Sequence, residues 1–157
     1  MDINKAFLSF EIAHYDDYTI VVDVIASNGR FAGFTKFYTG ANGKELIEFA
    51  RILQGFPKRV DQVEEFTFGI LHSQPIRLRE SRVEFSSFES YIDLKFLCID
   101  GFGHTAVDID LCKEADLIES RGKVSFEMQF FPAQLDQFVQ ELFSLVENKE
   151  GIAALLG

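Results

Sequence analysis

The sequence predicts an α+β domain: an antiparallel sheet of roughly seven or eight strands with two helices packed against it. Three observations carry this. Most of the chain alternates apolar and polar residues, the period-two pattern of half-buried strands. Two stretches instead repeat apolar residues at helical spacing, which marks a helix with one buried stripe. And nothing divides the 157 residues: with 3 Pro and no Pro/Gly/Ser tract, residues 1–157 form a single domain.

Leu8, Phe10 and Ile12 alternate with Ser9 and Glu11 and make the first strand. Tyr18 to Ala26 is rich in β-branched residues and makes the second, with Ile20, Val22 and Val24 on its inner face. Ser27-Asn28-Gly29 is a hairpin turn, since Asn-Gly adopts positive φ readily. Phe31 to Tyr38 returns, and Gly33 inside it points to a bulge or a close backbone contact. Past the break at Gly40 to Gly43, Leu46, Phe49, Ala50 and Leu53 form the stripe of the first helix, which Gly55 and Pro57 stop.

Phe66, Phe68 and Ile70 alternate, as do Val83 and Phe85. Ile92, Leu94, Phe96 and Cys98 share one face of a longer strand, which turns at Asp100-Gly101-Phe102-Gly103. Val107, Ile109 and Leu111 line the inner face of the returning strand, with Asp108 and Asp110 outward. A strand from Gly122 carries Val124, Phe126, Met128 and Phe130. Pro132 then opens the second helix, with Leu135, Phe138, Val139, Leu142 and Val146 on one face. After Gly151, Ile152 to Leu156 is a short apolar tail expected to dock as a last turn. The spacing of Leu46, Phe49 and Leu53 matches that of Leu135, Phe138 and Leu142, each set following an aromatic pair, Phe37-Tyr38 and Phe130-Phe131. Two readings fit: a strand-to-helix unit used twice, or the spacing any amphipathic helix has.

Composition narrows the function. Hydrophobic residues are 47% of the chain, with 18 Phe and no Trp, so there is ample material for a core. Asp and Glu number 25 against 15 Lys and Arg, a net charge of -10. A field of that sign repels phosphate backbones and anionic lipid and attracts cationic partners. The one basic candidate, Arg77, Arg79 and Arg82, is read as a solvated strand face, and no nucleic-acid partner is expected. No apolar run approaches the ~20 residues of a membrane span, and Met1-Asp2-Ile3-Asn4-Lys5 lacks a signal-peptide pattern. The expected location is the cytoplasm.

Catalytic, metal and cofactor signatures are absent from the pattern. His14, His72 and His104 are not at metal-ligand spacing, and His14 with Asp16 and Asp17 is read as a polar loop. Cys98 and Cys112 fall on two strands of one hairpin at unequal distances from its turn, so they should not face each other. Paired with His104, either thiol would be the nucleophile of an enzymatic reading. The glycine clusters Gly101-Phe102-Gly103 and Gly40-Ala41-Asn42-Gly43 match no phosphate-binding motif. What stands out is acidity: Asp108, Asp110, Glu114, Asp116 and Glu119 share a short span with one cation, Lys113. Asp108 and Asp110, supported by Glu114 and Asp116, are the candidate partner-binding residues. A second reading takes the phenylalanines as the lining of a pocket for a small molecule or peptide. An open sheet edge would allow a homodimer.

The order of elements adds a resemblance. The strand Phe31-Ala32-Gly33-Phe34-Thr35-Lys36-Phe37-Tyr38 leads to the helix Leu46-Ile47-Glu48-Phe49-Ala50-Arg51-Ile52-Leu53 and then Gly55-Phe56-Pro57. Near the end, Gly122-Lys123-Val124-Ser125-Phe126-Glu127-Met128-Gln129-Phe130 runs into Leu135-Asp136-Gln137-Phe138-Val139-Gln140-Glu141-Leu142. This resembles the WapI-type immunity proteins of bacterial contact-dependent toxin systems, from which the chain departs in lacking Trp. The resemblance implies a cytoplasmic inhibitor that binds a toxin domain, and it carries no catalytic residues over.

Overall fold

The computed structural model describes residues 1–69, 75–77, 84–86, 90–113 and 122–157, with the backbone alone for 75–77 and 84–86. The chain is α+β, and its sheet strands divide into two antiparallel sheets of four. The first sheet holds β1 (Ala6–Tyr15), β2 (Thr19–Asn28), β3 (Ala32–Gly40) and β10 (Ile152–Leu156), in the order β10-β1-β2-β3. The second holds β4 (Val63–Gly69), β7 (Tyr91–Cys98), β8 (Thr105–Lys113) and β9 (Gly122–Phe130), in the order β4-β7-β8-β9. A separate ribbon pairs β5 (Pro75–Arg77) with β6 (Glu84–Ser86). The helices are α1 (Lys44–Leu53) and α2 (Pro132–Asn148), and they pack against each other.

The topology runs the same course twice. A three-stranded meander (β1-β2-β3 or β7-β8-β9) leads into a helix. The strand after that helix then crosses to the other sheet and pairs with its first meander strand: β4 on β7, β10 on β1. The strand-to-helix repeat is thus present in the connectivity. The crossing strands tie the two sheets together, since neither sheet is complete without a strand from the other half.

Local chemistry sets the elements. In β2 the inner residues Ile20, Val22, Val24 and Ala26 are fully buried, and the β2–β3 turn closes with the Asn28 side chain accepting the N–H groups of Arg30 and Phe31. Gly43 precedes α1 in the left-handed region, and a Cβ there would lie 2.6 Å from Val146 Cγ1 of α2. Only glycine meets both demands. In α1 the predicted stripe Leu46, Phe49, Ala50 and Leu53 is buried. In α2, whose first turn Gln134 closes by accepting the Phe131 N–H, Leu145 completes the buried stripe, with Val146 half-buried beside it.

The tail departs from expectation: residues 152–156 form an edge strand, not a turn. Lys149 takes a left-handed conformation and ends α2, after which Ala153 and Leu155 alternate inward against β1. The carboxylate of Glu141 on α2 accepts the Ala154 N–H at 2.8 Å, so one outward donor of this edge is already satisfied.

One core joins both sheets and both helices. Phe10, Phe37, Phe49, Phe68, Phe96 and Phe138 lie in a connected ring cluster, with Phe37 stacked on Phe68 at 4.7 Å and Phe49 edge-on to Phe66 at 4.6 Å. Of the bulge or close contact expected at Gly33, the structure shows the contact, in unbroken register with β2: β3 passes over the second sheet there, and an added Cβ would fall 2.2 Å from Val124 Cγ1 and 3.0 Å from Leu111 Cδ1. Beside it, buried Thr35 donates its hydroxyl to the Cys112 carbonyl at 2.6 Å. Among the described residues, no helix is long and apolar enough to cross a membrane.

Candidate protein-binding face

The outer face of the second sheet follows from strand alternation. In β8 the inner residues Val107, Ile109 and Leu111 are buried, which leaves Asp108 exposed and Asp110 half-buried. Register then decides their neighbours. Across the strands one row reads Glu65, Lys95, Asp108, Glu127, and the next reads Thr67, Asp93, Asp110, Ser125. Beyond it lies Gly69, Tyr91, Cys112, Lys123. The face therefore presents Glu65, Asp93, Asp108, Asp110 and Glu127 against Lys95 and Lys123.

Two of these adjacencies are unfavourable to the protein itself. Asp93 stands directly opposite Asp110, and Asp108 directly opposite Glu127. Like charges at such positions lie about 5 Å apart at Cβ and destabilise a sheet. The relief is partial. Lys95 is 3.5 Å from Glu65 and pairs in register with Asp108. Thr67 donates its hydroxyl to Asp93 at 2.6 Å. Tyr91 beside Lys123, together with the nearby Asp110 carboxylate, holds the Lys123 ammonium above its ordinary value. A groove of about 340 Å³ runs along this face, lined by Glu65, Thr67, Asp93, Lys95, Asp108 and Asp110 among others.

Asp108 and Asp110 thus sit together on one exposed face, as the alternation predicted. Glu114, Asp116 and Glu119 lie outside the described residues, as do Arg79, Arg82 and His72 and the side chain of Arg77. Sequence reasoning missed Glu65, Asp93 and Glu127. Each is an outward strand residue whose alternation is visible, but their gathering around Asp108 and Asp110 depends on β4 and β9 flanking the central hairpin.

The other candidate residues make the following local contacts. Cys98 and Cys112 occupy opposite ends of the β7–β8 hairpin, facing Thr105 and Tyr91, and neither is in a disulfide. Cys98 Sγ meets the Asp100 carbonyl at 3.3 Å, and His104 Nδ1 meets the Asp100 carboxylate at 2.5 Å. That contact holds the Asp100 carboxyl below its ordinary value, aided by the N–H groups of Phe102 and His104. Asp16 caps the β1–β2 loop by accepting the N–H groups of Tyr18 and Thr19, each at 2.8 Å. Among the described residues no group of three or more His, Cys, Asp or Glu is placed to hold a metal ion. The phenylalanines that would line a pocket pack on one another: Phe10, Phe49, Phe96 and Phe138 are at most 1% exposed. No protein-family model, curated protein or solved structure matches the chain.

Proposed function

We propose that this chain is a non-enzymatic binding protein that holds a basic protein partner on the outer face of the β4-β7-β8-β9 sheet. The reading is that of a cytoplasmic immunity protein neutralising a basic toxin domain, as the resemblance to WapI-type immunity proteins implies. The observation that carries it is the pair of directly opposed carboxylates, Asp93 with Asp110 and Asp108 with Glu127. An exposed face evolving for stability alone would separate them, whereas a cationic partner converts their mutual repulsion into attraction on binding. The net charge of -10 adds long-range steering toward such a partner. Toxin domains that cleave nucleic acid are themselves basic, and an acidic face competes for the surface that their substrate uses.

The test is recovery of the partner from the source cell by affinity purification, followed by titration against Asp108→Lys/Asp110→Lys. The reading expects a basic protein and a dissociation constant raised at least ~100-fold by the double reversal, mostly at low salt. Reversal of Glu114 and Asp116 should weaken binding further. Unchanged affinity after all four reversals would remove the acidic face from the account.

A further inference from the structure

The outer face of the second sheet does not end at its carboxylates. Past the row Glu65, Lys95, Asp108, Glu127, toward the β7–β8 turn, the next row reads Val63, Leu97, Ala106, Gln129. Alternation carried one residue beyond the strand ends then places Ile99, His104 and Phe131 on the same face, with the Ile99 N–H donating to the His104 carbonyl at 2.8 Å. Ala106 is buried and Leu97 half-buried, but Val63 is 43% exposed, Ile99 50% and Phe131 69%. Phe102, in the turn itself, is 91% exposed, more than any other described phenylalanine. Exposed Val60 flanks this turn: a Cβ on Gly101 would lie 3.7 Å from Val60 Cγ2. A solvated sheet face places polar residues at such positions, and apolar side chains gathered at one end of it mark an interaction surface.

The turn that carries Phe102 is fixed. The Asp100 carboxylate accepts the N–H groups of Phe102 at 2.8 Å and His104 at 3.3 Å, and it meets His104 Nδ1 at 2.5 Å. Gly103, at φ 84°, supplies the left-handed conformation beside it. An aromatic ring held out on a fixed turn loses little freedom when a partner covers it, which is what a binding anchor needs.

We infer that this apolar end is the anchoring half of the partner-binding face, and that the basic partner carries an apolar surface beside its cations to receive Phe102. This rests on the proposed reading of the acidic rows, and the spacing of the rows decides what covers the apolar end. Rows lie about 7 Å apart along the strands, so Val63 and Leu97 are one row from Asp108. A standard interface takes about 800 Å² from each partner, roughly 28 Å across, so a protein seated on Asp108 and Asp110 reaches the apolar rows as well. The two halves have separate tasks. The carboxylates attract a cationic surface and set the association rate and its salt dependence. The aromatic anchor, once desolvated, sets the dissociation rate.

Binding kinetics of the basic protein recovered with the wild-type chain test it, with poly-lysine as a purely cationic probe. Phe102→Ala should raise the dissociation rate at least ~10-fold and leave the association rate within about twofold, an effect that persists at about 1 M salt. Phe102→Leu, which keeps an apolar side chain, should retain most of the wild-type lifetime. Asp108→Lys/Asp110→Lys should instead slow association, and this effect should fade as salt rises. Poly-lysine should bind the wild-type chain and Phe102→Ala alike and should not bind the double reversal. The urea midpoint of Phe102→Ala should match the wild type, since the ring is exposed in the free protein. An unchanged dissociation rate in Phe102→Ala, with the double reversal still weakening binding, overturns the anchor and leaves the acidic face standing. A double reversal without effect removes the acidic face and the anchor with it, whatever Phe102→Ala does. So does a wild-type chain that recovers no basic protein.

Discussion

At Gly33 and at a few capping carboxylates, single residues decide the geometry. Gly33 is where β3 crosses the second sheet, and Gly33→Ala puts a methyl 2.2 Å from Val124 Cγ1. Overpacking of this kind costs about 1–3 kcal/mol, measurable as a lower urea midpoint at unchanged slope. Val124→Ala in the same chain removes the nearest clash, so the double variant should lose less than the sum of the singles. The isolated Gly in an aromatic strand announced a close contact, but only the structure shows that the neighbour comes from the other sheet, some 90 residues on in sequence. Acid response is also set residue by residue. Asp16 is held below its ordinary 3.8 first by the N–H of Tyr18 and then by that of Thr19. Asp100 is held low chiefly by His104. Glu45 lies below its ordinary 4.5 because it accepts the Thr39 hydroxyl. Folded values below unfolded ones mean stabilisation that is complete above those ordinary values and lost as pH falls through the folded ones. The melting temperature should therefore be flat with respect to these groups from about pH 5 to 7 and fall below about pH 4, and Asp16→Asn should shallow the fall.

Elements were legible where periodicity is strong. The stripes of α1 and α2, the inner face of β2 and the β7–β8 hairpin follow from alternation and spacing alone, because burial of one face leaves one pattern. The tail was not legible. Five apolar residues suit a helical turn or a strand equally, and their docking beside β1 is a tertiary choice made by the end of α2 at Lys149. The division into two sheets was also hidden, because β4 and β10 follow helices and join the sheet of the other half. These crossings place the helices over one shared core, and α1 contributes Phe49 to its centre, against Phe10, Phe66, Phe68, Phe96 and Phe138. Phe49→Ala should cost about 3–5 kcal/mol, the range for truncating a fully packed ring. Because its contacts span both halves, the loss should appear as one cooperative transition monitored by near- and far-UV circular dichroism. Two separate transitions would mean that the halves are stable independently.

At the scale of the whole molecule, two sheets share one core and turn outward faces of unlike chemistry. The β10-β1-β2-β3 face mixes apolar and polar residues, several of them buried, and the β4-β7-β8-β9 face is acidic. Net charge announced the acidity, and strand alternation placed Asp108 and Asp110 outward. The gathering of Glu65, Asp93 and Glu127 around them depends on register between strands distant in sequence, which no local pattern encodes. If that gathering serves a cationic partner, stability and binding must respond to its removal with opposite signs. Asp110→Asn removes the directly opposed repulsion from Asp93 and only a diagonal attraction to the exposed Lys123, so it should stabilise the free protein by about 0.2–1 kcal/mol. The same change should weaken the complex with the basic partner, since one attraction across the interface is lost. Measuring both quantities on this one variant is the most direct test of the acidic face as a binding surface. The account predicts a higher urea midpoint together with a larger dissociation constant. A variant that is less stable, or that binds the basic partner as tightly as the native chain, would contradict it.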